Sequence, residues 1–302
     1  MSRVKAWVRA ARPRTLPLSI SGIVTAAGLA MYYGSFDPTI FVLSLLTTIG
    51  FQVTSNFAND YGDGVKGTDN EDRIGPQRAL QSGSLSPAVL KKGIIISVIV
   101  DVALVLALLY VTFGSGQWGW FLVFLLLAAL SIWAAIRYTV GDSAYGYRGL
   151  GDVFVFLFFG LVGVLGALFL HAKSIPPLSV LMGIAIGALS VGVLNLNNLR
   201  DLASDKKAGK NTLVVKLGFA LAKRYHMALM LLALLCTTLF LVVTYSSGME
   251  FFTLLAFLPI GAHAWRVKRA KDSFSIDPEL KKLALSTFLL ALLFYFSYNN
   301  FL

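Results

Sequence analysis

The chain has 302 residues, of which 57% are hydrophobic and only 14% are charged. This composition excludes an ordinary soluble domain, and it predicts an all-α integral membrane protein, because a backbone facing lipid must satisfy its own hydrogen bonds. The net charge of +11 does not indicate a nucleic-acid partner, because the basic residues are distributed according to membrane topology.

Nine apolar runs are long enough to cross a bilayer as helices, which takes about 20 residues each. In chain order they are residues 16–33, 40–57, 93–113, 120–138, 153–170, 178–196, 227–245, 251–265 and 283–301. Every lysine and arginine except Lys173 lies before the first run, at the end of the fourth run or in alternate loops. By the positive-inside rule, the N-terminus and the long loops are cytoplasmic and the C-terminus lies outside.

The first 15 residues are basic and amphipathic, which predicts a retained interfacial helix and not a cleaved signal peptide. The apolar runs follow each other closely and leave little room for a soluble domain. We therefore predict a single transmembrane domain over residues 1–302, with the amphipathic segment 1–15 at its start. The long polar loops share the cytoplasmic face, so any chemistry is expected there.

The second apolar run leads into a cluster of amide and carboxylate side chains. Asn56, Asp60 and Asp63 are spaced i, i+4, i+7, so they share one face if the helix continues, with Asn59 beside them. Like charges so close to a low-dielectric bundle repel each other unless a cation neutralises them. The spacing therefore predicts a cation-binding face at the mouth of the bundle.

The sixth run leads into a second cluster of the same character. Asn197, Asp201 and Asp205 are spaced i, i+4, i+8 and also share one helical face. Both runs are predicted to cross from the outside to the inside. The two carboxylate clusters should therefore emerge at the same membrane face.

Carboxylate and amide oxygens without a nearby histidine or cysteine suit Mg²⁺, which typically binds one or two carboxylates together with substrate phosphates. Basic side chains that could bind phosphate oxygens surround both clusters. They are Lys66, Arg73, Arg78, Arg200, Lys206, Lys207 and Lys210. This combination indicates a metal-diphosphate site, and the alternative is a pair of solvated loops with ordinary salt bridges.

Three cytoplasmic segments carry a resemblance to a known family. They read "NDYGDGVKGTDNEDRIGP", "YTVGDSAYGYRGLGDVFVFLFFG" and "NNLRDLASDKKAGKNTL". Paired Asp-rich motifs after the second and sixth of nine helices resemble the UbiA-type intramembrane prenyltransferases, in particular the branch that acts on 1,4-dihydroxy-2-naphthoate in menaquinone biosynthesis. The resemblance implies Mg²⁺-dependent transfer of a polyprenyl group from polyprenyl diphosphate to this aromatic acid, with loss of diphosphate and CO₂. It also implies a bacterial plasma membrane, with the active site facing the cytoplasm.

The resemblance further implies roles for individual residues. Mg²⁺ would be held by Asn59, Asp60, Asp63, Asp69, Asn197, Asp201 and Asp205. The substrates would be bound by Asn56, Asn59, Lys66, Arg73, Arg78, Arg148, Asn197, Asn198, Arg200 and Lys210. An allylic cation would be stabilised by Tyr138, Tyr145 and Tyr147, whose alternative role is an interfacial aromatic belt. Arg137 is a second candidate for the acceptor carboxylate, and Asp69 or Asp152 for its hydroxyl.

Two positions depart from the family pattern. Gly67 stands where the first motif would have its last Asp, with Asp69 two residues later, and Asn197 stands where the second motif would begin with Asp. These departures leave the metal ligand set open. The acceptor also stays open, because enzymes that prenylate 4-hydroxybenzoate or other aromatic compounds would share the same metal logic.

Two further classes fit less well. A CDP-alcohol phosphotransferase requires the pattern DGxxAR, whereas "VKGT" follows Asp63-Gly64 here. A transporter usually places charged residues at mid-membrane, where these runs have almost none. The histidines, His171, His226 and His263, show no metal-ligand spacing and are expected to pack near the membrane interface.

Overall fold

The computed structural model describes residues 3–69 and 74–299. This part of the chain is helical and contains no β-strand, which confirms the all-α prediction. The α-helices are α1 (Arg3–Ala11), α2 (Leu16–Tyr32), α3 (Pro38–Val65), α4 (Pro87–Phe113), α5 (Trp118–Arg137), α6 (Gly151–Val155), α7 (Ala167–Ala172), α8 (Ser179–Arg200), α9 (Leu202–Lys207), α10 (Leu213–Val243), α11 (Phe257–Arg269) and α12 (Asp277–Ser297). A π-helical segment, Phe156–Gly166, joins α6 to α7.

Eight helical stretches among the described residues are long and apolar enough to cross a membrane, as a multi-pass membrane protein requires. They are Arg3–Tyr32, Pro38–Val65, Pro87–Phe113, Trp118–Arg137, Gly151–Ala172, Ser179–Arg200, Leu213–Val243 and Phe274–Ser297. The predicted run at 251–265 has a different form. There a 3₁₀ segment, Met249–Ala256, continues directly into α11, whose 13 residues are too few to cross alone.

Helices α3 and α8 extend beyond the predicted apolar runs and carry the acidic clusters. Asp37 caps the start of α3 by accepting from the backbone N–H of Thr39 at 2.7 Å, and the helix then continues to Val65. At the end of α8, Asp201 leaves helical geometry and serves both as the C-cap of α8 and as the N-cap of the short helix α9, where its carbonyl accepts from the backbone N–H of Asp205 at 2.8 Å. Both clusters therefore lie on helix ends and not in open loops.

Helix α8 is the most thoroughly buried of the eight candidate spans. It packs against α10, α12 and the π-helical segment, and it contributes fully buried core side chains such as Ile186 and Leu189. Gly160 lies so close to it that a Cβ at this position would be 2.6 Å from the Cα of Gly187. Small residues permit such close helix approach in membranes. The second acidic cluster is thus attached to a rigid, central helix.

Two of the histidines contact each other inside the bundle. His226 in α10 and His263 in α11 are fully buried, and their Nε2 atoms lie 2.9 Å apart. His263 Nδ1 lies 2.8 Å from Oε2 of Glu279 in α12, and the other oxygen of Glu279 accepts from Arg266 Nε at 2.9 Å. Sequence spacing could not predict this series of hydrogen-bonded side chains, because His226, His263 and Glu279 come from three different helices.

The N-terminal segment packs onto α3 and α4. The ring of Trp7 meets that of Phe57 edge-on at 5.1 Å, and it occupies the space where a Cβ of Gly93 would lie. Asn56 Nδ2 in α3 donates to the carbonyl of Ala11 at 2.8 Å. These contacts fix α1 beside the end of α3 that carries the first acidic cluster.

Candidate functional site

Asp63 is the centre of the first cluster. Its buried carboxylate accepts from Arg78 Nη1 at 2.6 Å through Oδ2, and from the Tyr147 hydroxyl at 2.8 Å through Oδ1. The same hydroxyl lies 2.6 Å from Oγ1 of Thr68. Asp63 therefore links the end of α3 to the 3₁₀ turn that precedes α6 and carries Tyr147.

Arg78 holds two carboxylates and a backbone carbonyl. Besides Asp63, its Nη1 lies 3.0 Å from Oδ2 of Asp69 and donates to the carbonyl of Asn59 at 2.8 Å. Burial alone would lower the pKa of Arg78, but the carboxylates of Asp63 and Asp69 outweigh that effect and raise it. Arg78 is thus a permanent cation at the mouth of the bundle.

Asp205 is the member of the second cluster with an uncommitted oxygen. Its Oδ1 lies 3.6 Å from Lys210 Nζ, and its Oδ2 is buried without a hydrogen-bond partner among the described residues. Burial raises the pKa of Asp205 to about 6, against the lowering effect of Lys210 and with further increases from Asp201 and Asp63. Asp201, in contrast, accepts from Arg200 through both oxygens, at 2.8 and 2.7 Å.

The two clusters meet around Lys210 and Tyr147. Lys210 Nζ lies 5.5 Å from the centroid of the Tyr147 ring, and Lys66 Nζ lies 4.2 Å from it. Burial alone would lower the pKa of Lys210, but Asp63 and Asp205 outweigh that effect and raise it. We refer to Asp63, Asp69, Arg78, Tyr147, Asp205 and Lys210 as the mouth cluster. The structure thus brings the two predicted Asp motifs together.

Asp60 has a different set of partners. Its two carboxylate oxygens accept from the backbone N–H groups of Ala79 at 3.1 Å and Leu80 at 3.2 Å. Asp60 also lines a cavity of about 220 Å³, which we call the arginine cavity. The arginines in its wall are Arg9, Arg12, Arg14 and Arg78. Arg78 therefore belongs to both the mouth cluster and this cavity.

The predicted amide residues are divided between structural and open positions. Asn56 ties α3 to the N-terminal segment. The side-chain oxygen of Asn59 accepts from Oγ1 of Thr139, in the loop after α5, at 3.2 Å. Asn197 accepts from Arg200 Nη2 at 2.8 Å. Asn198 is buried, and its Oδ1 has no hydrogen-bond partner among the described residues.

The remaining predicted residues lie around the mouth cluster or apart from it. Tyr138 meets Tyr145 edge-on at 5.4 Å, and Asp152 is buried at the start of α6. Arg148 is exposed and Arg137 donates to a serine of its own loop, so neither is held against the mouth cluster by a described contact. Arg73 lies outside the described residues.

The described residues include no group of three His, Cys, Asp or Glu side chains close enough to hold a metal by themselves. In the mouth cluster, the unpartnered Oδ2 of Asp205 and the carboxylates of Asp63 and Asp69 are nevertheless hard donors of the kind that Mg²⁺ prefers. Because Mg²⁺ normally keeps several waters and takes further ligands from substrate phosphates, this donor set fits a Mg²⁺ ion that arrives with a diphosphate.

Two sets of residues at the site carry no sequence signal for their position. Thr68 has no periodic or motif signal, and only the fold reveals its contact with Tyr147. The arginines of the N-terminal segment were interpreted as an interfacial anchor because their amphipathic pattern indicates no more than that. Their place beside Asp60 depends on how α1 packs against α3.

The fold and the mouth cluster define a multi-pass helical membrane protein with a polar, charge-rich site at one end of its bundle. The sequence pattern of the UbiA prenyltransferase family matches residues 21–288. This chain therefore belongs to the UbiA prenyltransferase family.

Two curated relatives are similar over nearly the whole chain. The 1,4-dihydroxy-2-naphthoate octaprenyltransferase of Escherichia coli is 42% identical across 97% of this chain and 95% of its own length. The protein of the same name from Haemophilus influenzae is 41% identical with the same coverage. A solved UbiA homolog from Archaeoglobus fulgidus bound to GPP and Mg²⁺ has a TM-score of 0.65 over 95% of this chain and 99% of that chain, at 14% identity. This last likeness shows the fold.

Proposed function

We propose that this protein transfers a polyprenyl group from polyprenyl diphosphate to 1,4-dihydroxy-2-naphthoate. The observation that carries the proposal is the 41–42% identity, over 97% of the chain, to two curated enzymes named for this acceptor. In the reaction the allylic C–O bond breaks and diphosphate leaves with the bonding electrons. A C–C bond forms at the ring carbon, which loses its carboxylate as CO₂, and the product is the quinol form of demethylmenaquinone.

Mg²⁺ would be held by the two acidic clusters, chiefly through Asp63 and Asp205. Asp201 and Asp69 lie next to these carboxylates, and the Asp60 carboxylate helps to position the segment that carries Arg78. The remaining proposed ligands are Asn59 and Asn197. When bound, the ion would neutralise the negative charge that develops on the departing diphosphate.

The basic residues of the mouth cluster would bind the diphosphate oxygens. Arg78 and Lys210 remain cationic because buried carboxylates face them, and Lys66 lies on the same aromatic ring as Lys210. When a diphosphate enters with its metal, the basic side chains would pair with the phosphate oxygens and the carboxylates with the metal, in place of their present pairs with each other. The site is therefore pre-organised for a ligand that carries both signs of charge.

Tyr147 would shield and stabilise the allylic cation. Its ring already lies within 6 Å of two ammonium groups, so its face attracts positive charge in this structure. Its hydroxyl is held by Asp63 and Thr68, which fixes the orientation of the ring. Tyr138 would provide a second aromatic face close to the start of α6.

We further propose nine membrane crossings, with the N-terminus and the mouth cluster in the cytoplasm and the C-terminus outside. The crossing added to the eight candidate spans, eighth in chain order, is the 3₁₀ segment Met249–Ala256 together with α11. At about 2.0 Å per 3₁₀ residue and 1.5 Å per α-helical residue, this stretch reaches about 35 Å, enough for a core of about 30 Å. The plasma membrane of a bacterium is the proposed location.

The test is product formation in membranes that contain the protein, supplied with a polyprenyl diphosphate and either 1,4-dihydroxy-2-naphthoate or 4-hydroxybenzoate, with and without Mg²⁺. Mass spectrometry should detect a Mg²⁺-dependent prenylated product that has lost CO₂, and only with the naphthoate. Product with hydroxybenzoate alone would retain the reaction class and overturn the acceptor.

A further inference from the structure

The arginine cavity lies outside the roles proposed so far for the mouth cluster. It has a volume of about 220 Å³, which is below the range of roughly 300–1,000 Å³ found for drug-sized ligands. Four arginines and one carboxylate, Asp60, line it among the described residues. Both oxygens of Asp60 already accept backbone hydrogen bonds. Because four guanidinium groups outnumber this single carboxylate, the cavity is suited to a small anion and unsuited to a metal ion.

One wall of the cavity is a built site and not a loose surface. The side chain of Arg78 is only 10% exposed, and its Nε is buried without a hydrogen-bond partner among the described residues. Its Nη1 is committed to Asp63, Asp69 and the carbonyl of Asn59. A ligand in the cavity could therefore accept a hydrogen bond from Nε of Arg78, while Nη1 of the same side chain stays bound to the carboxylates of the mouth cluster.

The opposite wall comes from the N-terminal segment. Trp7 and Asn56 fix this segment against α3 and α4, which places the exposed side chains of Arg9 and Arg14 in the cavity wall. Arg14 is also within electrostatic range of Arg200 at the end of α8. The segment thus extends the positive region from the first acidic cluster toward the second.

We propose that the arginine cavity binds the carboxylate of the aromatic acceptor, an inference that rests on the proposed function. Guanidinium groups match a carboxylate in a planar, two-bonded geometry. Pro13 and Pro76 in the wall supply apolar surface for a ring. The ammonium groups that suit the diphosphate, Lys66 and Lys210, lie around Tyr147 and do not line the cavity. Arg78 then separates the two anions and holds the acceptor next to the donor.

The experiment compares Arg9→Gln and Arg14→Gln with a matched control, Arg3→Gln; all three side chains are exposed, but Arg3 does not line the cavity. The two cavity variants should raise the KM for 1,4-dihydroxy-2-naphthoate by at least about tenfold, the loss expected for a hydrogen bond to a charged group. The KM for polyprenyl diphosphate should change less than about twofold. The control should match the unaltered protein in both constants.

Inhibitors provide a second measurement. In the unaltered protein, 1-hydroxy-2-naphthoate should inhibit at much lower concentration than 1-naphthol, which lacks the carboxylate, and the cavity variants should lose most of this difference. An increase in the KM for the donor would assign the cavity to diphosphate. Loss of activity only in vesicles that contain anionic lipid would assign it to lipid headgroups, and unchanged constants would remove it from binding; each result overturns the inference. If the unaltered protein does not prenylate the naphthoate at all, the proposed function fails first.

Discussion

Replacement of Asp63 by Asn should abolish prenyl transfer while the bundle stays assembled in the membrane. The buried Asp63 carboxylate accepts from Arg78 at 2.6 Å and from Tyr147 at 2.8 Å. Loss of its charge does not strand Arg78, which keeps Asp69 at 3.0 Å and the carbonyl of Asn59. We expect a loss of about 2 kcal/mol in the free energy of unfolding. This is below the roughly 3–5 kcal/mol for a buried pair that leaves an uncompensated charge.

Activity should fall by far more than stability. Removal of one preorganised electrostatic group from an active site commonly costs about 100- to 1,000-fold in rate, and Asp63 would contribute both to the metal and to the orientation of Tyr147. The assay is mass spectrometry of the prenylated product at matched protein concentration. Thermal unfolding and size-exclusion chromatography in detergent measure the folded fraction.

A matched control lies on the same helix. Asp37→Asn makes the same chemical change at the opposite end of α3, where the carboxylate caps the helix by accepting from Thr39 and Ile40. Asn caps helices about as well as Asp, so this variant should retain activity and stability. The reasoning would be refuted if Asp63→Asn kept more than a tenth of the activity, or if the two variants lost equal activity.

Three further outcomes test the site. Asp205→Asn should lose at least about 100-fold in activity. Its unfolding temperature at neutral pH should nevertheless be unchanged or higher, because the removed charge is buried and repelled by Asp201 and Asp63. A clear drop in that temperature would contradict this prediction. Chelation of Mg²⁺ with EDTA should stop turnover and added Mg²⁺ should restore it, whereas activity that persists in EDTA would exclude a metal role. Tyr147→Phe should lower activity by about tenfold, because the hydroxyl bridge to Thr68 and Asp63 is lost. Tyr147→Leu, which also lacks the ring, should lower activity further. Equal activities of the two variants would remove the aromatic face from the mechanism.

The membrane architecture was largely predictable from sequence because hydropathy and helix length are local properties. The exception is the run at 251–265, where the backbone begins as a 3₁₀ segment and only then becomes α11. Hydropathy does not distinguish these two helix types, which differ in hydrogen-bond register. The apolar runs also stop short of the ends of α3 and α8, because polar residues continue a helix as readily as apolar ones when the turn chemistry permits it.

The candidate site was predictable in composition but not in pairing. Helical spacing placed the two acidic clusters correctly on helix ends, and topology brought them to one face. Spacing could not reveal that Asp63 pairs with Arg78, that Asp60 accepts backbone hydrogen bonds, or that Lys210 and Lys66 lie on Tyr147. These contacts depend on how distant loops fold over the bundle.

The buried hydrogen-bonded series of His226, His263 and Glu279 restricts how α10, α11 and α12 can rotate about their axes. Two imidazole Nε2 atoms at 2.9 Å share a single proton. If the Glu279 carboxylate accepts a hydrogen bond from His263 Nδ1–H, then Nε2 of the neutral His263 ring accepts and His226 Nε2–H donates. In a bundle with so many interchangeable apolar side chains, several rotations of α10, α11 and α12 could bury similar areas. Only one rotation of each helix forms this directional series of hydrogen bonds. A few polar atoms therefore select one packing among several that apolar contacts alone would not distinguish.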